Sequence, residues 1–261
     1  MDFGFTFAGF AVGFIIGLTG VGGGSLMTPV LVLVFSIKPA VAVGTDLLYA
    51  AITKGGGILS HHRQQTIDWS VVRLLSAGSI PATLLAVLIL KQLAGMGINY
   101  EPVITSMLSI ALILTSLVIL FKSRLQSLGR TEPFQFIRII HRRLRAPMTV
   151  VAGFIIGILV TFSSVGAGAL GAAFLFFLYP RFNTVRIVGT DLAHAVPITA
   201  IAGLGHWHLG SVDFQLLLSL IIGSLPGIYL GSHAGIQLPE KFMRMLLALM
   251  LMLIGGRLAV L

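Results

Sequence analysis

The pentapeptide Val43-Gly44-Thr45-Asp46-Leu47 recurs 145 residues later as Val188-Gly189-Thr190-Asp191-Leu192. At the same spacing Asp68 matches Asp213, and Gly78-Ser79-Ile80-Pro81 matches Gly223-Ser224-Leu225-Pro226. Upstream, Gly13-Phe14-Ile15-Ile16-Gly17 returns verbatim at 153–157, and Val21-Gly22-Gly23-Gly24 returns as Val165-Gly166-Ala167-Gly168. The last two spacings are 140 and 144, which implies a few residues inserted in the second copy. Chance gives one such match but not an ordered series, so the chain reads as a duplicated unit. The expected organisation is a first repeat over 1–121, a basic linker over 122–146 and a second repeat over 147–261.

The repeated unit belongs in a membrane. Of the 261 residues 56% are hydrophobic and 10% charged, against about 25% charged in a soluble domain. A chain of this length cannot hide that much apolar surface in a water-soluble core. The apolar stretches are long and unbroken rather than alternating, which points to helices and away from a β-barrel. Hydropathy gives five segments in each half: 5–20, 25–37, 41–60, 69–91 and 100–121, then 147–163, 167–180, 185–205, 213–233 and 240–258. The fold class expected is an all-α polytopic membrane protein with broken or re-entrant helices. Residue 2 is Asp2 and no small-residue cleavage site closes the first apolar run, so it reads as structure rather than a signal peptide. Cysteine is absent, which excludes disulfides and thiolate metal sites. The excess of 17 Lys+Arg over 8 Asp+Glu suits loops that face anionic lipid, rather than nucleic acid.

Orientation follows from the same cations. Seven of the 17 lie in 122–146 (Lys122, Arg124, Arg130, Arg138, Arg142, Arg143, Arg145), against one acid, Glu132. The positive-inside rule makes this stretch cytoplasmic. Counting segments outward puts 61–68 inside and its partner 206–213 outside, so the repeats are expected to be inverted, with both termini outside. Within 133–145, Phe134, Ile137, Ile140 and Leu144 oppose Arg138, Arg142 and Arg145, a pattern for a short amphipathic helix on the cytoplasmic leaflet.

Inverted repeats with interrupted helices are an architecture of secondary transporters, and the interruption marks the binding site. The segments flanking Gly22–Gly24, and the pair around Gly166, are too short to cross a hydrocarbon layer about 30 Å thick. Glycine permits such a break and lets a ligand approach the backbone. The limb that follows starts with free N–H groups and a positive dipole end, which attract an anion. Gly22, Gly23, Gly24, Ser25, Ser163, Ser164, Gly166 and Gly168 are therefore the candidate contacts for a small anionic substrate. Gly9, Gly13 and Gly17, and Gly223, Gly227, Gly231 and Gly235, are spaced by four and read as packing faces.

The stretch Gly17-Leu18-Thr19-Gly20-Val21-Gly22-Gly23-Gly24 with Pro29 resembles the sulfite exporter TauE/SafE family of membrane permeases. So do Val43 to Lys54, then His61-His62-Arg63 and Thr66-Ile67-Asp68-Trp69. The likeness covers nearly the whole chain. It implies a secondary transporter that exports sulfite, sulfonates or related small anions across a bacterial inner membrane. The second copy departs from the first: Ala167 matches Gly23, Thr199 matches Lys54, and His194 matches Tyr49, so any site is only pseudo-symmetric.

Asp46 and Asp191 lie within apolar segments, where an ionisable group is costly and faces a cavity or a partner. They either carry a coupling proton or brace the broken helices. Asp191 and His194, three apart, are placed to form a hydrogen-bonded pair. Lys54 either compensates the charge of an anion or snorkels to the cytoplasmic surface. His61-His62 and His206-Trp207-His208 read as interfacial residues, with Trp207 an anchor at headgroup level. No cofactor or metal site is expected, nothing fixes an oligomeric state, and no cluster suited to an intramembrane enzyme occurs. An anion channel, or a proton-coupled carboxylate or anion transporter, shares the same elements. Moving one anion out of a negative cytoplasm releases about 2.3 kcal/mol per 100 mV, so export needs no coupling ion. Asp46 and Asp191 are then expected to be mainly structural.

Overall fold

The computed structural model describes residues 3–19, 26–130, 135–234 and 240–260, with backbone alone at 19, 122–130, 135–143, 234, 240–244, 246 and 260. Among these residues the chain forms ten helices and no strand: α1 Phe3–Thr19, α2 Met27–Leu33, α3 Pro39–Arg63, α4 Trp69–Gly95, α5 Glu101–Arg130, α6 Gln135–Ser163, α7 Ala169–Leu178, α8 Thr184–His208, α9 Phe214–Ala234 and α10 Glu240–Val260. Five of them, α4, α5, α6, α8 and α9, are long and apolar enough to cross a membrane. The protein is an all-α, multi-pass membrane protein. Rows such as Leu84, Leu85, Leu88 and Ile89 on α4, and Leu218, Ile222 and Leu225 on α9, are exposed, as lipid-facing side chains are.

Each apolar segment of the sequence corresponds to a helix, but the boundaries differ in two places. The limbs α2 and α7 are only 7 and 10 residues long, about 10 and 15 Å at 1.5 Å per residue. Neither spans a hydrocarbon layer alone. In the other direction, α5 continues to Arg130 and α6 begins at Gln135. Most of the expected linker is therefore helix, and the amphipathic stretch is the start of α6 from Gln135 onward rather than a separate element. Polarity ends a membrane span but not a helix, and Arg, Lys, Leu and Gln are good helix formers.

The helices pack mainly across the two halves: α1 along α9, α4 along α6, α5 against α10, and α3 against α8. Glycine sets the first two contacts. A Cβ on Gly9, Gly13 or Gly17 would meet the backbone of Leu220, Ser224 or Ile228, and one on Gly153 or Gly157 the backbone of Leu75 or Ser79. The two glycine stripes predicted to be packing faces thus pack on each other where they are described; Gly235 lies outside the described residues. Residue numbers rise together along each contact, so α1 runs parallel to α9 and α4 parallel to α6.

These contacts also bear on the spacing between the similar segments. Leu75 and Ser79 match Leu220 and Ser224 at 145, and their partners Gly153 and Gly157 match Gly9 and Gly13 at 144. The verbatim pentapeptide match at 140 is one helical turn out of register. A glycine at every fourth residue looks alike after a shift of four, so identity alone cannot fix that register.

The α3–α8 contact explains the repeated Gly-Thr-Asp. Both helices end in the same turn: Thr66 N–H donates to the His61 carbonyl (3.1 Å) and Ser211 N–H to the His206 carbonyl (2.9 Å). Gln65 and Gly210 take positive φ, 53° and 72°, as a left-handed helix terminus requires. Asp68 and Asp213 then cap α4 and α9 by accepting the N–H groups of Val71 (3.2 Å) and Leu216 (2.9 Å). Each turn docks on the opposite helix. Gly189 gives room to Thr66 and Gly44 to Ser211, while Asp68 N–H donates to Thr190 Oγ1 (3.0 Å) and Asp213 N–H to Thr45 Oγ1 (3.1 Å). The end of each helix therefore lies beside the start of the other, and α3 and α8 run antiparallel.

Candidate functional site

The third residue of that motif points to the interrupted limbs. Thr28, in the first turn of α2, donates its hydroxyl to Asp46 Oδ2 (2.6 Å). Asp191 lies against the first turn of α7, so closely that a Cβ on Gly171 would overlap its Oδ1. Each carboxylate thus sits at the start of the short limb in its own half. That suits bracing, because a helix N-terminus favours negative charge. Asp46 is fully buried and Asp191 nearly so.

The interruption between α6 and α7 is described; Gly22, Gly23, Gly24 and Ser25 lie outside the described residues. Between α6 and α7 the backbone takes positive φ at Ser164 (57°), Gly166 (115°) and Gly168 (134°). Helical hydrogen bonding stops there and restarts with Gly171 N–H donating to the Gly166 carbonyl (3.2 Å) and Ala172 N–H to Gly168 (3.0 Å). Ser163 serves the turn itself, donating to the Leu159 carbonyl and accepting from Val165 N–H (3.1 Å). Ser164 differs: its hydroxyl is buried and makes no hydrogen bond.

Lys54 reaches this break from the other half. Its Nζ donates to the Ala167 carbonyl at 2.8 Å, and its charge interacts with Asp191 and Asp46. Only 8% of the residue is exposed, so it does not snorkel. Nζ makes one hydrogen bond among the described residues, leaving two N–H groups to spend on something else.

Two histidines depart from the sequence reading. His194 does not pair with Asp191; its Nε2 shares a hydrogen bond with Ser79 Oγ of α4 (2.8 Å). Three residues along a helix leave side chains about 60° apart, enough to send Asp191 to α7 and His194 to α4. His206 is not interfacial but fully buried, its Nε2 set against the Thr161 carbonyl (3.0 Å). His208 and Trp207 are exposed, as are His62 and Trp69. The docking of the 209–213 turn on α3 covers His206, which hydropathy along one helix does not register.

Buried polar atoms normally have a partner. Among the described residues Asp46 Oδ1, Asp191 Oδ1, Ser164 Oγ, His194 Nδ1 and the Tyr49 hydroxyl have no partner within hydrogen-bond distance. Lys54 lies near both aspartates, and Ser164 and Tyr49 lie near Asp46, so these groups hold unused hydrogen-bonding capacity close to one another. Such a set can hold a small polar ion: the Lys54 ammonium and the hydroxyl donors attract an anion, and the carboxylates of Asp46 and Asp191 beside them oppose one. Among the described residues no group of three or more His, Asp or Glu is placed to hold a metal ion. Sequence reasoning missed Thr28 and Ser79. Ser79 lies in the repeated Gly-Ser-x-Pro and was within reach on that signal; Thr28 has no matching hydroxyl in the second copy.

Comparison with known proteins identifies the family. A family model described as "Sulfite exporter TauE/SafE" matches residues 5–258. The chain belongs to the sulfite exporter TauE/SafE family. Among its relatives, the probable membrane transporter protein YjnA of Bacillus subtilis is 36% identical over 250 residues, 96% of each chain. The probable membrane transporter protein YdhB of the same organism is 25% identical over 238 residues, 90% of this chain and 91% of its own. A probable membrane transporter protein of Haemophilus influenzae is 25% identical over 269 residues, 95% and 94% of the two chains. No solved structure matches the chain.

Proposed function

We propose that this TauE/SafE protein is a secondary transporter that exports sulfite, an organosulfonate or a related small anion across the bacterial inner membrane. The observation that carries the reading is Lys54. An ammonium at membrane depth is costly, and here it is held on the carbonyl of a chain break, between the halves, with two donors free. The family description supports sulfur oxyanions as the substrate class, and the organisms of the relatives support a bacterial cell membrane.

The same reading makes 1–121 and 147–261 inverted-topology repeats joined through a cytoplasmic 122–146. It is supported by the antiparallel α3–α8 pair and by the reciprocal Thr45–Asp213 and Thr190–Asp68 hydrogen bonds. The substrate would bind where Lys54, Ser164, Gly166 and Gly168 meet, with Gly22, Gly23, Gly24 and Ser25 contributing from the first break. Ser163 would hold the turn, and Asp46, Asp191 and His194 would brace the limbs.

Counterflow tests this. Proteoliposomes loaded with unlabelled sulfite should take up radiolabelled sulfite transiently and saturably, and Lys54→Met should abolish the uptake. Flux without counterflow would identify a channel instead. Counterflow of carboxylates but not of sulfite would move the substrate to that class.

A further inference from the structure

Tyr49 on α3 and His194 on α8 occupy matching positions in the two halves. Each ring has near it a serine of the other half, Ser224 and Ser79, themselves a matching pair. On one side the match is used: His194 Nε2 and Ser79 Oγ are hydrogen bonded at 2.8 Å. On the other it is not. Ser224 donates its hydroxyl to the Ile221 carbonyl (3.3 Å), and although Ser224 lies near it, the Tyr49 hydroxyl has no partner within hydrogen-bond distance among the described residues, with the residue 1% exposed. The ring packs in a core with Leu26 and Met27, at the start of α2, and with Val165, in the interruption between α6 and α7.

A tyrosine so deeply buried ordinarily finds a partner for its O–H. The neighbouring carboxylate does not supply one here: Asp46 Oδ2 is taken by Thr28, and Oδ1 is itself unpartnered. Lys54 is turned to Ala167, and Asp191 and His194 are turned to α7 and α4. What remains is a fixed donor on the helix that also carries Lys54, held by a rigid ring. A phenol O–H given to an anionic oxygen is a charge-assisted hydrogen bond.

We propose that the Tyr49 hydroxyl is a substrate-binding group, donating to one oxygen of the bound oxyanion while Lys54 compensates its charge. The inference rests on the anion-transport reading above. It assigns Tyr49 part of the preference for an oxyanion, whose oxygens accept a directed hydrogen bond, over a spherical halide.

The test is calorimetric titration of the full-length protein in detergent with sulfite and, separately, chloride, with thermal melts of the anion-free protein. Tyr49→Phe keeps the ring and removes only the hydroxyl. It should weaken sulfite binding about 10- to 100-fold, the loss of one hydrogen bond to a charged group, and weaken chloride binding less, because a halide accepts a hydrogen bond with no fixed direction. The anion-free variant should melt at or above the wild-type temperature, because no buried hydroxyl is left unpaired. Wild-type sulfite affinity in Tyr49→Phe, with affinity lost in Lys54→Met, would overturn the inference and leave the anion reading standing. A Tyr49→Phe protein that melts well below wild type before anion is added would also overturn it, since the hydroxyl would then serve the fold. A wild-type protein that binds no sulfite would remove both.

Discussion

Asp68 shows how much one residue does at a helix end. Its side chain caps α4, its N–H fastens the turn to Thr190, and its Oδ2 pairs with Arg186 Nη2 at 2.6 Å. Partial burial works against the charged form, but the hydrogen bonds from Ser70 and Arg186 win and hold the carboxyl below the usual carboxylate range. Asp213 repeats the cap and the threonine bond, and its position opposite Arg186 is filled by Val41. Because the folded-state value is depressed, the stabilisation is present above the unfolded value near 4 and is lost as pH falls through the lower folded value. Asp68→Asn keeps a capping side chain and removes the charge. It should cost about 1 kcal/mol at most at pH 7, since the Arg186 side chain is 48% exposed and such pairs are screened. Thermal melts should show the gap from wild type closing below about pH 4. A gap that persists at pH 3 would mean that the charge is not what Asp68 contributes. The capping role of Asp68 was not read in the sequence, nor was the burial of His206, because both depend on a turn from one half docking on a helix of the other.

At the scale of elements, the repeated glycines separate into those that admit a neighbour and those that do not. A Cβ on Gly44 would overlap the Ser211 carbonyl, and one on Gly189 would lie 2.8 Å from His61 Nδ1 and 3.0 Å from the Thr66 carbonyl. Gly55 and Gly56, on the same helix as Gly44, have nothing within 4 Å. Gly44→Ala and Gly189→Ala should each destabilise by about 1–3 kcal/mol, the usual cost of overpacking. Gly56→Ala should be neutral or stabilise by up to about 1 kcal/mol, the helix-propensity gain. Melts of the three variants in detergent check this; equal effects would show that the docked turns are loose. The helices themselves were legible from hydropathy, since every apolar segment is one. What was not legible is where polarity and helicity part company, as in 122–146. The register of a stripe with period four also stayed hidden until its packing partners were known.

For the whole molecule, the proposed opposite orientation of the halves makes a prediction about sidedness. The chain has no cysteine, so His62→Cys and His208→Cys, each on an exposed position at a helix end, can be labelled singly in intact cells. An impermeant maleimide should label the variant at 208 and not the one at 62. Equal labelling would place both turns on one side and remove the argument that two limbs approach one site from opposite faces. Part of the proposed site was legible: the two aspartates from the repeat and their cost in lipid, Ser164 as a hydroxyl beside a helix interruption, and Lys54 as a cation within an apolar segment. Tyr49 and the Ala167 carbonyl were visible only once the halves were packed.

The central claim is that a small anion crosses between the halves down its electrical gradient, with Asp46 and Asp191 bracing the limbs rather than carrying protons. Sulfite efflux from proteoliposomes at imposed voltage, with the pH gradient collapsed, tests it most directly. The account predicts efflux that rises with an inside-negative voltage, as expected for about 2.3 kcal/mol per charge per 100 mV. It also predicts that most of the flux survives in Asp46→Asn and Asp191→Asn, which keep a hydrogen-bonding side chain at each limb. Efflux that stops without a pH gradient, together with loss of flux in both asparagine variants at unchanged folding, would contradict it and make the pair proton carriers.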